Sequence, residues 1–95
     1  MVATYQKKPV RILAAQLTHS SVNDVKEFAG LWFEMLPPEE RGSDGVVAKV
    51  YDVLHATWVG VKFGQWIIKG IEGEFYPCDN DVFWNSYERI YIEGQ

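Results

Sequence analysis

The chain has 95 residues, of which 47% are hydrophobic and 15% aromatic. This length and composition predict a single domain, residues 1–95, with a core of its own. The formal net charge is −4, and because an acidic chain repels phosphates we expect no nucleic-acid partner. The single cysteine, Cys78, excludes an internal disulfide and favours a reducing cytoplasm. No apolar run approaches the roughly 20 residues of a membrane span, so we expect no membrane partner.

The first half of the chain predicts one strand followed by one helix. Residues 10–17 have strand character, and Ser21 stands where its side chain can cap the first turn of a helix. Apolar residues then recur at helical spacing, with Gly30 as a typical helix end. This stripe contains Val22, Val25, Phe28, Ala29 and Trp32. An apolar clasp at residues 32–36 follows, and residues 37–45, rich in Pro, Gly and charge, predict a flexible exposed loop.

The second half predicts an antiparallel meander. The expected strands are residues 46–53, 57–61, 65–69, 74–76 and 87–92, and Asp79 is expected to cap a short helical turn over residues 80–85. Glycines at the ends of several strands fit tight turns. The predicted fold is therefore α+β, with one α-helix and a short C-terminal helical turn packed on a mainly antiparallel sheet of about five strands.

Three blocks of sequence carry a resemblance to a known family. They are an opening Tyr5-Gln6-Lys7-Lys8-Pro9-Val10 with Ala15-Gln16, residues 50–58 (VYDVLHATW), and residues 64–78 (GQWIIKGIEGEFYPC), which continue into Asp81-Val82-Phe83 and Tyr87-Glu88. In these blocks the chain resembles a family of small bacteriophage and prophage proteins. The resemblance implies a phage origin and the host cytoplasm as location, and it brings no active-site residue or cofactor. Where an acidic residue is expected after Gly64 this chain has Gln65, so no carboxylate role is carried over to that position.

Reactive groups are few and scattered. A Cys78 nucleophile would need His19 or His55 as its base, and the adjacent acids Asp79 and Asp81 disfavour its thiolate. These same three soft ligands are too isolated for a zinc site. Residues 69–73 lack the spacing of a phosphate-binding loop and read as a hairpin turn. The carboxylate pairs at positions 72/74 and 79/81 lie in or beside turns, where solvated acids are common. We expect no enzyme, no metal and no cofactor.

The aromatic residues leave two interpretations open. Most of the rings in the C-terminal half are expected in the core, although one or two would line an exposed partner-binding patch. The leading hypothesis is a non-enzymatic protein that binds a host protein, or a second copy of itself as a homodimer, through Trp32, Tyr76 and Trp84. The alternative is a small-ligand protein that binds a nucleotide signal and counters host defence, with Lys69 or Arg89 supplying positive charge.

Overall fold

In a computed structural model, which describes residues 2–94, the chain forms two α-helices and six strands. The helices are α1 (Val22–Ala29) and α2 (Asn80–Ser86). The strands are β1 (Leu13–Gln16), β2 (Phe33–Met35), β3 (Val46–Asp52), β4 (Thr57–Lys62), β5 (Trp66–Lys69) and β6 (Phe75–Cys78). Short 3-10 turns occupy Gly30–Trp32 and Pro38–Glu40. The predicted α+β class is confirmed.

The strands form two sheets rather than the single sheet that the sequence predicted. Sheet 1 has the order β1-β5-β6 and sheet 2 has the order β2-β3-β4, and every pairing is antiparallel. The prediction of about five strands missed β2, which follows α1 almost directly and pairs Phe33 with Val50. The residues read as an apolar clasp are largely this strand.

The main core lies where α1 packs against both sheets. Its buried apolar residues come from α1, from both sheets and from the residue that follows β1: Leu17, Val25, Ala29, Phe33, Ala48, Val50, Val61, Ile67 and Phe75. Val25 and Ala29 are buried and Phe28 packs against the core, as the helical stripe predicted. Trp32 departs from that stripe, because Gly30 ends the helix with φ +59° and turns the chain away.

Ser21 does not cap α1 as predicted. Its Oγ donates to the Gln16 carbonyl over 2.6 Å and accepts from the Thr18 amide over 2.8 Å, and no side-chain hydrogen bond to the first turn is present. The Ser21 hydroxyl thus forms its hydrogen bonds within the tight β1–α1 connection and not with the helix. The predicted cap at Asp79 is wrong in the same way, since no side-chain bond reaches the first turn of α2.

Helix α2 covers the outer face of sheet 1 and builds a second, smaller apolar cluster. Trp66 and Ile68 alternate with the core residue Ile67 and so project to this outer face. Phe83 of α2 is buried on Trp66. Asn80 attaches the start of α2 to sheet 1, because its Oδ1 accepts from the Trp66 indole N–H over 2.9 Å and from the Gln16 side-chain Nε2 over 3.3 Å.

The terminal segments carry less regular structure than predicted. The strand expected over residues 10–17 is confined to Leu13–Gln16, because β5 ends opposite Leu13 and offers residues 10–12 no partner. The strand expected over residues 87–92 is absent. Residues 2–11 are exposed throughout, as is the loop at residues 37–45, whose flexibility stays a prediction.

Candidate binding groove

A groove of about 660 Å³ runs between β1 and α2 on the outer face of sheet 1. Its walls come from β1 and the residues before it, from α2, and from the segment that follows α2; its floor includes Trp66. We call it the β1–α2 groove. Its volume falls within the range typical of ligand pockets.

The rings at the groove differ in what they offer to a ligand. Phe83 and Trp66 stack with 4.0 Å between centroids, and Phe83 is only 6% exposed, so it serves mainly to hold α2 on the sheet. Trp84 meets both rings edge-on, at 5.4 Å and 5.3 Å, while half of its surface remains exposed. Of these three rings, Trp84 is therefore the one that is packed against two others and still has an exposed face for a partner.

The residues lining the groove are more basic than the chain as a whole. Arg11, Lys69 and Arg89 line it together with one acid, Glu88, whereas the whole chain carries a net charge of −4. The Arg89 guanidinium lies 4.7 Å from the centre of the Tyr91 ring. Lys69 is directly opposite the core residue Phe75, and its Nζ lies 5.9 Å from the centre of that ring, so its charge is on the core-facing side of sheet 1. The positive charge of the groove therefore comes from Arg11 and Arg89. This local excess of positive charge favours a partner group that is anionic.

Three of the five residues singled out from the sequence line this groove: Lys69, Trp84 and Arg89. Tyr76 lies on the same face of sheet 1, since it pairs with Ile68 across the β5–β6 ladder. Trp32 lies elsewhere, on sheet 2. Sequence reasoning missed Arg11 as a groove residue, although its place in the basic opening of the chain was a usable signal.

Tyr76 is held in its neutral form. Partial burial raises the pKa of Tyr76 to about 12, and hydrogen bonding with Tyr87 and the charge of Glu74 act in the same direction. Tyr87 lines the groove at the end of α2, so Tyr76 of β6 lies next to a residue of its wall. Tyr76 thus supports the wall of the groove rather than presenting a free phenolate.

A second group of rings lies on sheet 2, around Tyr51. Trp32 stacks on Tyr51 at 5.3 Å, and Trp58 meets Tyr51 edge-on at 5.2 Å. Lys49 Nζ lies 4.7 Å from the centre of the Trp58 ring and 3.4 Å from a Glu34 carboxylate oxygen. In this three-ring patch the nearby cation, Lys49, is already paired with an acid.

The reactive side chains do not form a catalytic arrangement among residues 2–94. Burial, reinforced by the charge of Asp79, raises the pKa of the Cys78 thiol, which opposes thiolate formation. His19 stacks on Phe63 at 3.9 Å, and His55 Nδ1 lies 2.7 Å from Asp52 Oδ2 in the β3–β4 turn. Within this described part, no three His, Cys, Asp or Glu side chains are grouped so as to hold a metal ion.

Comparisons of the chain with protein-family models, with curated proteins and with solved structures give no match. Across residues 2–94, neither helix has the length and apolar character that crossing a bilayer requires.

Proposed function

We propose that this chain is a non-enzymatic binding protein of phage origin that holds a segment of a host protein in the β1–α2 groove. The observation that carries the proposal is the half-exposed Trp84 ring, fixed edge-on against Trp66 and Phe83 at the mouth of a groove. A ring fixed in advance loses little conformational entropy on binding, and tryptophan is the side chain most enriched among residues that dominate binding energy.

The charged residues that line the groove indicate which kind of peptide segment it would bind. Arg11 and Arg89 outnumber the one lining acid, Glu88. An acidic segment that also carries an apolar side chain would satisfy both the arginines and the apolar wall. A groove of about 660 Å³ suits a short segment better than a folded domain.

The test compares two tryptophans of similar exposure. Trp84 is 50% exposed at the groove, and Trp58 is 41% exposed on the three-ring patch. Proteins that co-purify with the tagged chain from infected cells would be identified, and their affinities measured for the wild type, Trp84→Ala and Trp58→Ala. Loss of a central tryptophan anchor costs at least about 2 kcal/mol, or roughly 30-fold in Kd. We expect that loss for Trp84→Ala alone, and equal effects of the two substitutions would contradict the groove as the binding site.

The same groove favours one second candidate function, the binding of a nucleotide signal. The specific observation is that Trp84, a ring on which a base can stack, shares the groove with Arg11 and Arg89, which can contact phosphate. Calorimetric titration with cyclic and linear nucleotides tests this candidate. Binding that is weakened by Arg89→Ala, but not by removal of an exposed lysine on α1 with Lys26→Ala, would favour the nucleotide over the host-protein segment. Absence of binding across the panel would exclude this candidate.

A further inference from the structure

The chain exposes more surface than a folded monomer of its mass. Its accessible surface is 7284 Å², whereas a folded monomer of 10.9 kDa exposes roughly 5,600 Å². The radius of gyration is 15.0 Å, against about 12 Å for a compact domain of this length. The chain therefore exposes about 1,700 Å² more surface than a folded monomer of its mass. If a second copy covered most of that extra surface, the area buried would be in the range of obligate dimers.

Several of the most exposed apolar side chains lie in the two terminal segments. In the N-terminal segment Val2 is fully exposed and Tyr5 is 89% exposed, and in the C-terminal segment Tyr91 is 82% exposed. Residues 10–12 and 87–92 also have the sequence character of strands but pair with no strand among residues 2–94. Strand-forming, apolar segments that remain unpaired need a covering surface.

An open sheet edge lies beside these segments. Strand β1 is at the edge of sheet 1, and its only strand partner among the described residues is β5. The Leu17 amide donates to the Gln65 carbonyl over 2.9 Å, so Leu17 directs its backbone groups toward the β5 side. Because backbone direction alternates along an antiparallel ladder, Ala15 also faces β5, while Ala14 directs its N–H and C=O outward.

We infer that two copies of this chain form a dimer by pairing their β1 edges antiparallel, with Ala14 of one copy opposite Ala14 of the partner subunit. A two-fold axis perpendicular to the sheet makes this pairing antiparallel, as the symmetric contact of a dimer requires. The methyl side chain of Ala14 lets the two edges approach at that axis. Sheet 1 of each copy then becomes half of a six-stranded sheet, and each N-terminal segment leads onto the surface of the other copy.

This inference concerns the edge of β1 and does not depend on what the groove binds. Ala14 borders both features, but the groove is defined by side chains on one face of sheet 1, whereas the pairing uses outward backbone groups. The dimer can therefore be tested by mass alone, without any ligand. A monomeric protein that still binds through Trp84 would overturn the dimer and leave the proposed function standing.

The first experiment is Ala14→Pro, measured by light scattering after size-exclusion chromatography. Proline at position 14 removes an N–H that points away from β5, so the β1–β5 ladder is kept while the outer pairing is blocked. We expect the wild type at twice the chain mass and Ala14→Pro at the single mass. The control, Trp58→Ala, should remain dimeric. A monomeric wild type, a dimeric Ala14→Pro, or a dimer lost on Trp58→Ala would overturn the inference.

Amide hydrogen exchange in the wild type gives a second measurement that does not depend on how well Ala14→Pro folds. The Ala14 amide should exchange at least about tenfold more slowly at high protein concentration than on dilution, because only the dimer protects it. The Ala15 amide, which bonds to β5 in either state, should be protected at both concentrations. Rapid exchange at Ala14 under all conditions, with Ala15 protected, would rule out the paired edge.

Discussion

The ring of Phe83 lies parallel to the indole of Trp66, with 4.0 Å between their centroids and 3° between their planes. This stack holds α2 on sheet 1 through Phe83, the one residue of the helix that is buried. Truncating it would open a cavity between helix and sheet. The wall of the β1–α2 groove therefore depends on one ring that hardly contacts solvent.

Phe83→Ala is expected to lower the free energy of unfolding by about 3–5 kcal/mol, the usual cost of removing a buried phenylalanine. Chemical denaturation followed by circular dichroism measures it. Trp84→Ala is the matched control on the same helix, and because half of that ring is exposed its cost should be clearly smaller. Equal losses for the two variants would mean that the Trp66–Phe83 stack is not what holds α2.

The chain is expected to be more stable with glutamine at position 65 than with glutamate. Its Nε2 donates to Asp79 Oδ1 over 2.7 Å, and its Oε1 accepts from the Lys62 amide over 2.8 Å. Gln65→Glu would replace the donor with a second negative charge beside Asp79, costing about 1 kcal/mol at neutral pH. Chemical denaturation of Gln65→Glu and the wild type measures this loss.

The double variant Gln65→Glu/Asp79→Asn tests whether the two side chains act on each other. The amide introduced at position 79 would donate to the new carboxylate at position 65 and restore the hydrogen bond with reversed polarity. The double variant should therefore recover most of the lost stability. Additive losses in the double-mutant cycle would show that the Gln65–Asp79 contact contributes nothing.

The sequence predicted those parts of the fold that local pattern determines. Helix α1 was found because Val25 and Phe28 recur at helical spacing before Gly30, and β3 to β6 because turn residues separate them. Strand β2 was missed because it has only 3 residues, too few to show the alternation of a strand. The strand expected over residues 87–92 is absent because alternation sets the face of a strand but supplies no neighbouring edge.

The candidate site was only partly predictable for a related reason. Residue type alone suggested Trp84 as an aromatic anchor and Lys69 and Arg89 as positive groups, and all three line one groove. Trp32 looked equivalent in the sequence, yet the positive φ of Gly30 directs the chain toward sheet 2 and its ring stacks on Tyr51. Which rings share a surface depends on contacts between residues distant in sequence, and those cannot be read from spacing.

Tyr76 should make stability depend on pH in alkaline solution. Its pKa is about 12 in the folded chain, above the value of 10.0 for a free tyrosine. Below about pH 10 the side chain is neutral in both states; between about pH 10 and 12 the unfolded chain loses the proton first, so folding stability falls. The free energy of unfolding should decline less over this interval in Tyr76→Phe than in the wild type, and Tyr51→Phe should retain the wild-type decline.

Ala56 closes the β3–β4 turn with φ +51°, a left-handed backbone conformation that side chains with a Cβ disfavour. Asp52 helps to impose this turn conformation, since its Oδ1 accepts from the Leu54 amide over 2.9 Å and its Oδ2 lies 2.7 Å from His55 Nδ1.

Ala56→Gly should relieve the strain and raise the free energy of unfolding by about 0.5–1 kcal/mol, even though glycine adds freedom to the unfolded chain. Ala56→Val should lower it, because branching at Cβ increases the strain at positive φ. Thermal unfolding of the three proteins gives the order Gly, Ala, Val from most to least stable. A less stable glycine variant would show that Ala56 has a left-handed conformation without a measurable energetic cost.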